Sequence, residues 1–161
     1  MQALPDKQAL KDELIALIED DLRTAERAHR TTAEGATHPE AKVENSKDTR
    51  ALEQTFLARG QAARVEELRL GLALIRTLPT AALPDGAQAC SGALVNLAGG
   101  DREYVVLLAP FGGGYKLAGG TIPVVTPQSP LGRSIMGKGA GDECDVTLAG
   151  QRRQVEIVDV R

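Results

Sequence analysis

The chain has 161 residues, enough for one ordinary domain or two small ones. Only 2% of them are aromatic and the formal net charge is -3, which argues against an aromatic ligand cage and against bulk attraction to nucleic acid or an anionic membrane. Any core is built from Leu, Val, Ile and Ala, and an RNA or DNA partner is expected to be reached through another protein.

The start, "MQALPDKQALKDEL", has no basic segment followed by an apolar run. Nowhere do about eighteen apolar residues run together, so a cytoplasmic protein with no membrane contact is expected. Residues 6 to about 34 then place Leu10, Leu14, Leu17 or Ile18, Leu22 and Ala25 at steps of three and four, with charges between. That period predicts an amphipathic helix with a narrow apolar stripe. Gly35, Pro39 and "RTTAEGATHPE" are expected to break it.

The next stretch, "HPEAKVENSKD" at 38–48, is almost without apolar side chains. Its Glu40, Glu44 and Asp48 recur every four residues, so on a helix they stack on one face, with Glu34 across the break. The plain reading is a solvated helix end whose acids favour the positive N-terminal dipole. The alternative is a set of carboxylates able to hold Mg²⁺, which takes one or two carboxylates and keeps water or phosphate oxygens as its other ligands. His38 is a tip residue and His29 a helix-surface residue on this reading, since neither has a Cys or His neighbour at zinc spacing.

From about Glu44 to Leu78 a second helix carries Ala51, Thr55, Ala58, Ala62, Val65, Leu68, Leu72 and Ile75 at similar steps, interrupted by Gly60 and Gly71. Two such stripes pair most simply as an antiparallel helical hairpin. Its arms would extend roughly 40 Å at about 1.5 Å per residue. Large side chains sit at Leu10 to Leu22 and Val65 to Ile75, so the base is expected to be packed and the tip thin and polar.

"LPTAALPDGAQA", 78–89, has no periodicity and reads as a linker. After it the period becomes two: "SGALVNL", "REYVVLL", "GTIPVV", "DECDVTL" and "RRQVEIVDV" read as short strands joined by glycine-rich hairpin turns. "FGGGY" and "LAGG" read as turns. Cys90 and Cys144 lie apart with no CxxC; alternation puts Cys144 on the face of Val146 and Leu148, as a buried thiol. "SPLGRSIMGK" has Ser129 as N-cap, Pro130 at the first helical position and Gly137 as the stop, predicting a short helix. Gly132 to Lys138 imitates a phosphate loop, but Gly139 stands where the hydroxyl should be and a strand follows instead of a helix.

"SPLGRSIMGKGAGDECDVTLAGQRRQVEIVDV" resembles the C-terminal segment of the Gre family of bacterial transcript-cleavage factors, as "ALVNLAGGDREYVVLL" resembles the first hairpin of that domain. Glu44-Asn45 falls where the family has Glu-Asn at the start of its second arm. The resemblance implies an α+β protein: an antiparallel coiled-coil hairpin over 1–79, then a small FKBP-like antiparallel-sheet domain with one short helix over 80–161. It implies an accessory transcription elongation factor, not an enzyme, whose partner is RNA polymerase. Nascent RNA and DNA would be met only through the elongation complex. The tip would enter the secondary channel, where Glu44 and Glu40 act as the catalytic and metal-holding carboxylates. No cofactor would be bound by the chain alone; Mg²⁺ would be shared with the polymerase active site. Arg133 and Lys138, inside the matched motif, are candidate polymerase contacts.

One departure bears on activity. The family has an Asp three residues before the Glu of Glu-Asn, and here that position is Ala41, followed by Lys42. Glu40 is adjacent and one helical turn from Glu44. A channel-binding regulator without cleavage stimulation is therefore the second reading. A peptidyl-prolyl isomerase module is the third, disfavoured because this half offers only Tyr104, Phe111 and Tyr115 as aromatic lining.

Overall fold

The structure, a computed structural model, describes residues 5–37 and 49–161. The chain divides into two compact units, Leu17–Leu72 and Met1–Ala16 with Ala73–Arg161. Helices α1 (Lys7–Thr37) and α2 (Thr49–Arg76) contribute to both.

Within Leu17–Leu72 the two helices run antiparallel, and Ile18, Val65, Leu68 and Leu72 are the buried side chains. Arg69 bridges the pair by bonding Glu26 at 2.8 Å on α1 and Glu66 at 2.9 Å on its own helix. Helix α1 does not stop at Gly35 but continues to Thr37. A Cβ on Gly35 would meet nothing within 4 Å, so the glycine is tolerated in the helix at a cost of about 1 kcal/mol relative to Ala. The expected start of the second helix at Glu44 lies outside the described residues, which resume at Thr49.

The other unit contains a six-stranded sheet made of β1 (Leu94–Gly99), β2 (Arg102–Leu108), β3 (Lys116–Leu117), β4 (Ile122–Val125), β5 (Glu143–Leu148) and β6 (Gln151–Val160). Their order is β3-β4-β2-β1-β6-β5. Pairing is antiparallel except between β2 and β4, which run parallel through Leu107–Val124 and Leu108–Val125. The parallel pair corrects a chain of simple hairpins: the glycine-rich connection after β2 carries the short strand β3, which hairpins onto β4, in place of a bare turn.

Alternation along the strands sends Val95, Leu97, Val106, Leu108, Cys144, Val146, Val155 and Ile157 to one core. Cys144 is buried there, as the alternation predicts, while Cys90 is half-buried against the same cluster. Leu94, Leu107 and Val124, one position out of phase, are also buried but belong outside that cluster. The first turns of α1 belong to this unit, with Leu10 and Leu14 buried. Lys7 Nζ donates to the Ala81 carbonyl and Lys11 Nζ to the Leu78 carbonyl, both at 2.9 Å. Glu13 accepts from the Ala118 amide at 3.0 Å, beside a turn where Leu14 packs against Gly112.

Because Leu14 is fully buried and packs against Gly112, Leu14→Ala is expected to destabilise the protein by about 2–5 kcal/mol. Urea denaturation followed by circular dichroism measures this, and a loss below about 1 kcal/mol would show that α1 is not anchored at this point.

Candidate functional site

Helix α3 (Pro130–Ile135) forms where the cap chemistry places it. Ser129 Oγ accepts from the Gly132 amide at 3.0 Å and donates to the Thr126 carbonyl at 2.8 Å, and Pro130 opens the first turn. The helix lies so close to the preceding segment that a Cβ on Gly132 would be 1.9 Å from the Thr126 carbonyl oxygen. Only glycine fits. Gly137, at φ 75°, then ends the helix. Its amide donates to the Ala89 carbonyl at 2.9 Å, and the Ala89 amide returns a 2.7 Å bond to the Lys138 carbonyl. The imitation of a phosphate loop is thus a clasp that fixes the end of the linker.

The two motif cations are committed in opposite directions. Arg133 Nε donates back to the Gln128 carbonyl at 2.9 Å, whereas Lys138 Nζ donates forward to the Glu143 carbonyl at 3.1 Å. Arg133 is exposed and Lys138 half-buried. Asp142 closes the following turn by accepting from the Gly139 amide at 2.8 Å, while its own carbonyl accepts from the Ile157 amide at 2.9 Å. The "GDE" portion of the motif therefore ties the turn to β6.

Glu40 and Glu44, with His38, Ala41, Lys42 and Asp48, lie outside the described residues. Among the described residues there is no group of three or more His, Cys, Asp and Glu side chains able to hold a metal ion, nor a helix long and apolar enough to cross a membrane.

Two clefts carry polar and charged lining. One, of about 530 Å³, lies between α1 and α2 within Leu17–Leu72 and is lined by Glu26, His29, Arg30, Ala33, Glu66 and Arg69, among others. It half-buries His29, whose Nδ1 has no hydrogen-bond partner, so the ring is not the simple surface residue that its spacing implied. The signal was present in Ala33 and Ala62, whose small side chains line the same cleft. The second, of about 380 Å³, is lined by Gly99, Gly100, Tyr104, Leu148 and Arg153. Of the aromatics Tyr104, Phe111 and Tyr115, only Tyr104 lines it.

The elements define a class of protein: a long helical hairpin followed by a small sheet domain with a clasped Ser-Pro helix. Residues 93–161 match the family described as transcription elongation factor, GreA/GreB, C-terminal. Over 159 residues the chain is 29% identical to transcription elongation factor GreA of Halorhodospira halophila, covering 96% of this chain and 92% of the relative. It is 30% identical over 100 residues to GreA of Helicobacter hepaticus, covering 61% of this chain and 58% of that relative, less than two thirds of its length. The crystal structure of GreA factor homolog 1 from Thermus thermophilus is similar at 15% identity and a TM-score of 0.40, over 95% of each chain. Residues 93–161 thus match the GreA/GreB C-terminal family, and the chain is similar to GreA along most of its length.

Two outcomes are expected of this region. Gly132→Ala should cost at least about 2 kcal/mol, since backbone must move to admit the methyl, against about 1 kcal/mol for Ser129→Ala, which loses only the cap; chemical denaturation of the two variants gives the order, and a Gly132→Ala protein as stable as wild type would contradict the close approach. Burial raises the Tyr104 phenol above its ordinary value, partly offset by Arg153. The folded protein therefore holds that proton longer than the unfolded chain does, with no effect on stability below about pH 10 and a loss as pH rises further. Above that pH the urea midpoint of the wild type should fall more steeply than that of Tyr104→Phe, and equal slopes would place the ring in open solvent.

Proposed function

We propose that the chain is an accessory transcription elongation factor, not itself an enzyme. It binds RNA polymerase, enters the secondary channel with the tip of its hairpin, and stimulates the polymerase to cleave backtracked RNA. The observation that carries this reading is the similarity to GreA over 96% of the chain, together with the carboxylates Glu40 and Glu44 in the sequence that separates the two long helices.

The chemistry asked of the tip is modest. Two carboxylates four residues apart in the sequence suit Mg²⁺, and a shared Mg²⁺ would supply Lewis-acid activation of water for attack on the RNA phosphodiester. Glu44 is assigned to hold that ion, and Glu40 to supply the second carboxylate where Ala41 stands in place of the family's Asp. Arg133 is the stronger of the two candidate polymerase contacts, since it is exposed at the end of α3 whereas Lys138 is half-buried.

Ala41 and Lys42 favour one second reading, a channel-binding regulator that occupies the polymerase without stimulating cleavage. Stalled, backtracked complexes carrying 3'-end-labelled RNA separate the two. Release of short 3' fragments, reduced by about a hundredfold in Glu44→Ala on the scale of losing one transition-state ligand, is the expected result. Ala41→Asp should increase release. Binding without release in the wild type would leave the regulator, and absence of binding would defeat both readings.

A further inference from the structure

The inner face of α2 is accounted for by Val65, Leu68, Leu72 and Ile75, all buried. Its opposite face is apolar too. Leu52, Phe56, Leu70 and Leu74 are 58%, 62%, 66% and 48% exposed, a density of large apolar groups that a solvated helix face does not need. At about 100° per residue, Leu52, Phe56, Arg59, Ala63, Glu67, Leu70 and Leu74 fall within an arc of about 80° on this one helix.

The order of these residues has a symmetry. From Leu52 the steps are four, three and four to Ala63, then four, three and four to Leu74. If a second α2 is laid antiparallel on this face with the two-fold axis at Ala63, each residue meets the one equally far beyond the axis. Phe56 then meets Leu70 and Leu52 meets Leu74. Arg59 meets Glu67, so the charges are complementary where the apolar pairs are interrupted. The residue on the axis is alanine, exposed and small enough to let two helix backbones approach. A closed two-fold interface demands this kind of self-complementarity, and an alternative register would set Arg59 against Glu66 or Gly60 against Glu67 and put the apolar pairs out of step.

We propose that the outer face of α2 is a self-association surface on which a second copy of this chain docks antiparallel about Ala63. Docking would cost Glu67 its bond to Arg64, a 2.8 Å pair between exposed side chains that contributes little. The interface is a single helix pair, so association is weak and concentration-dependent.

Sedimentation of the full chain across micromolar to submillimolar concentrations should show 17.0 kDa chains passing to a species of twice that mass. Phe56→Lys should weaken association by more than tenfold. Arg59→Glu and Glu67→Arg should each weaken it by about tenfold, since each creates two like-charge contacts across the axis. The double exchange, Arg59→Glu with Glu67→Arg, should restore it to within about twofold. All these positions are exposed, and unchanged helical circular dichroism would verify that the variants fold. A chain that stays at 17.0 kDa at every concentration overturns the proposal. A dimer that Phe56→Lys leaves intact, or that the double exchange fails to restore, overturns it equally, because the surface or the register would be another. Association is measured with the chain alone, so failure here is distinct from failure to act on polymerase.

Discussion

Gly132 sits so close to the carbonyl of Thr126 that no side chain fits there, and the geometry around it follows from that constraint. With a side chain at 132, α3 would have to lift away from the segment that follows β4. Leu131 and Ile135, both buried, would then leave the core formed by the sheet. The pairing of Ala89 with Gly137 and Lys138 would lose its register in turn. One hydrogen atom in place of a methyl group thus couples a helix, a core and a linker, and it explains why the glycines of this motif need no phosphate to account for them.

The helices obey a different economy. Among the described residues of Leu17–Leu72 the buried apolar side chains are Ile18, Val65, Leu68 and Leu72, and surface ion pairs such as Arg69 with Glu26 and Glu66 add to them. Exposed pairs contribute at most about 1 kcal/mol each. Segments held mainly by helix propensity open locally at lower free energy than a packed core does.

Much of this was legible because the physics was local. Ser129, Pro130 and Gly137 define a helix by cap chemistry alone, and the alternation in "ECDVTL" buries Cys144 whatever the neighbouring strands do. Strand β3 escaped notice because two residues between glycine turns carry no period; Lys116 and Leu117 become a strand only through Pro123 and Ile122 across the ladder. The parallel pairing of β2 with β4 escaped for the same reason, since parallel register is decided by a crossover and not by either strand. Gly35 misled in the other direction: a glycine in a long helix is a cost, not a stop, when the chain around it is helical. Glu40 and Glu44 were legible only as a pattern of charge and as a family position. Arg133 and Lys138 were legible as motif residues, but the backbone carbonyls they hold could be known only from the fold.

The ends of the sheet have a consequence for how the protein behaves when crowded. At one end β3 is two residues long, too short to template another strand. At the other, β5 turns Glu143, Asp145 and Thr147 to solvent, and Asp145 and Glu143 are already bonded to Arg152 and Gln154 on β6. An incoming strand would find acidic side chains beside whatever backbone it sought. The sheet is thereby guarded against growth by edge addition, so that fibril-like assembly is discouraged at both margins and reversible, helix-mediated contact is the cheaper way for two such molecules to meet.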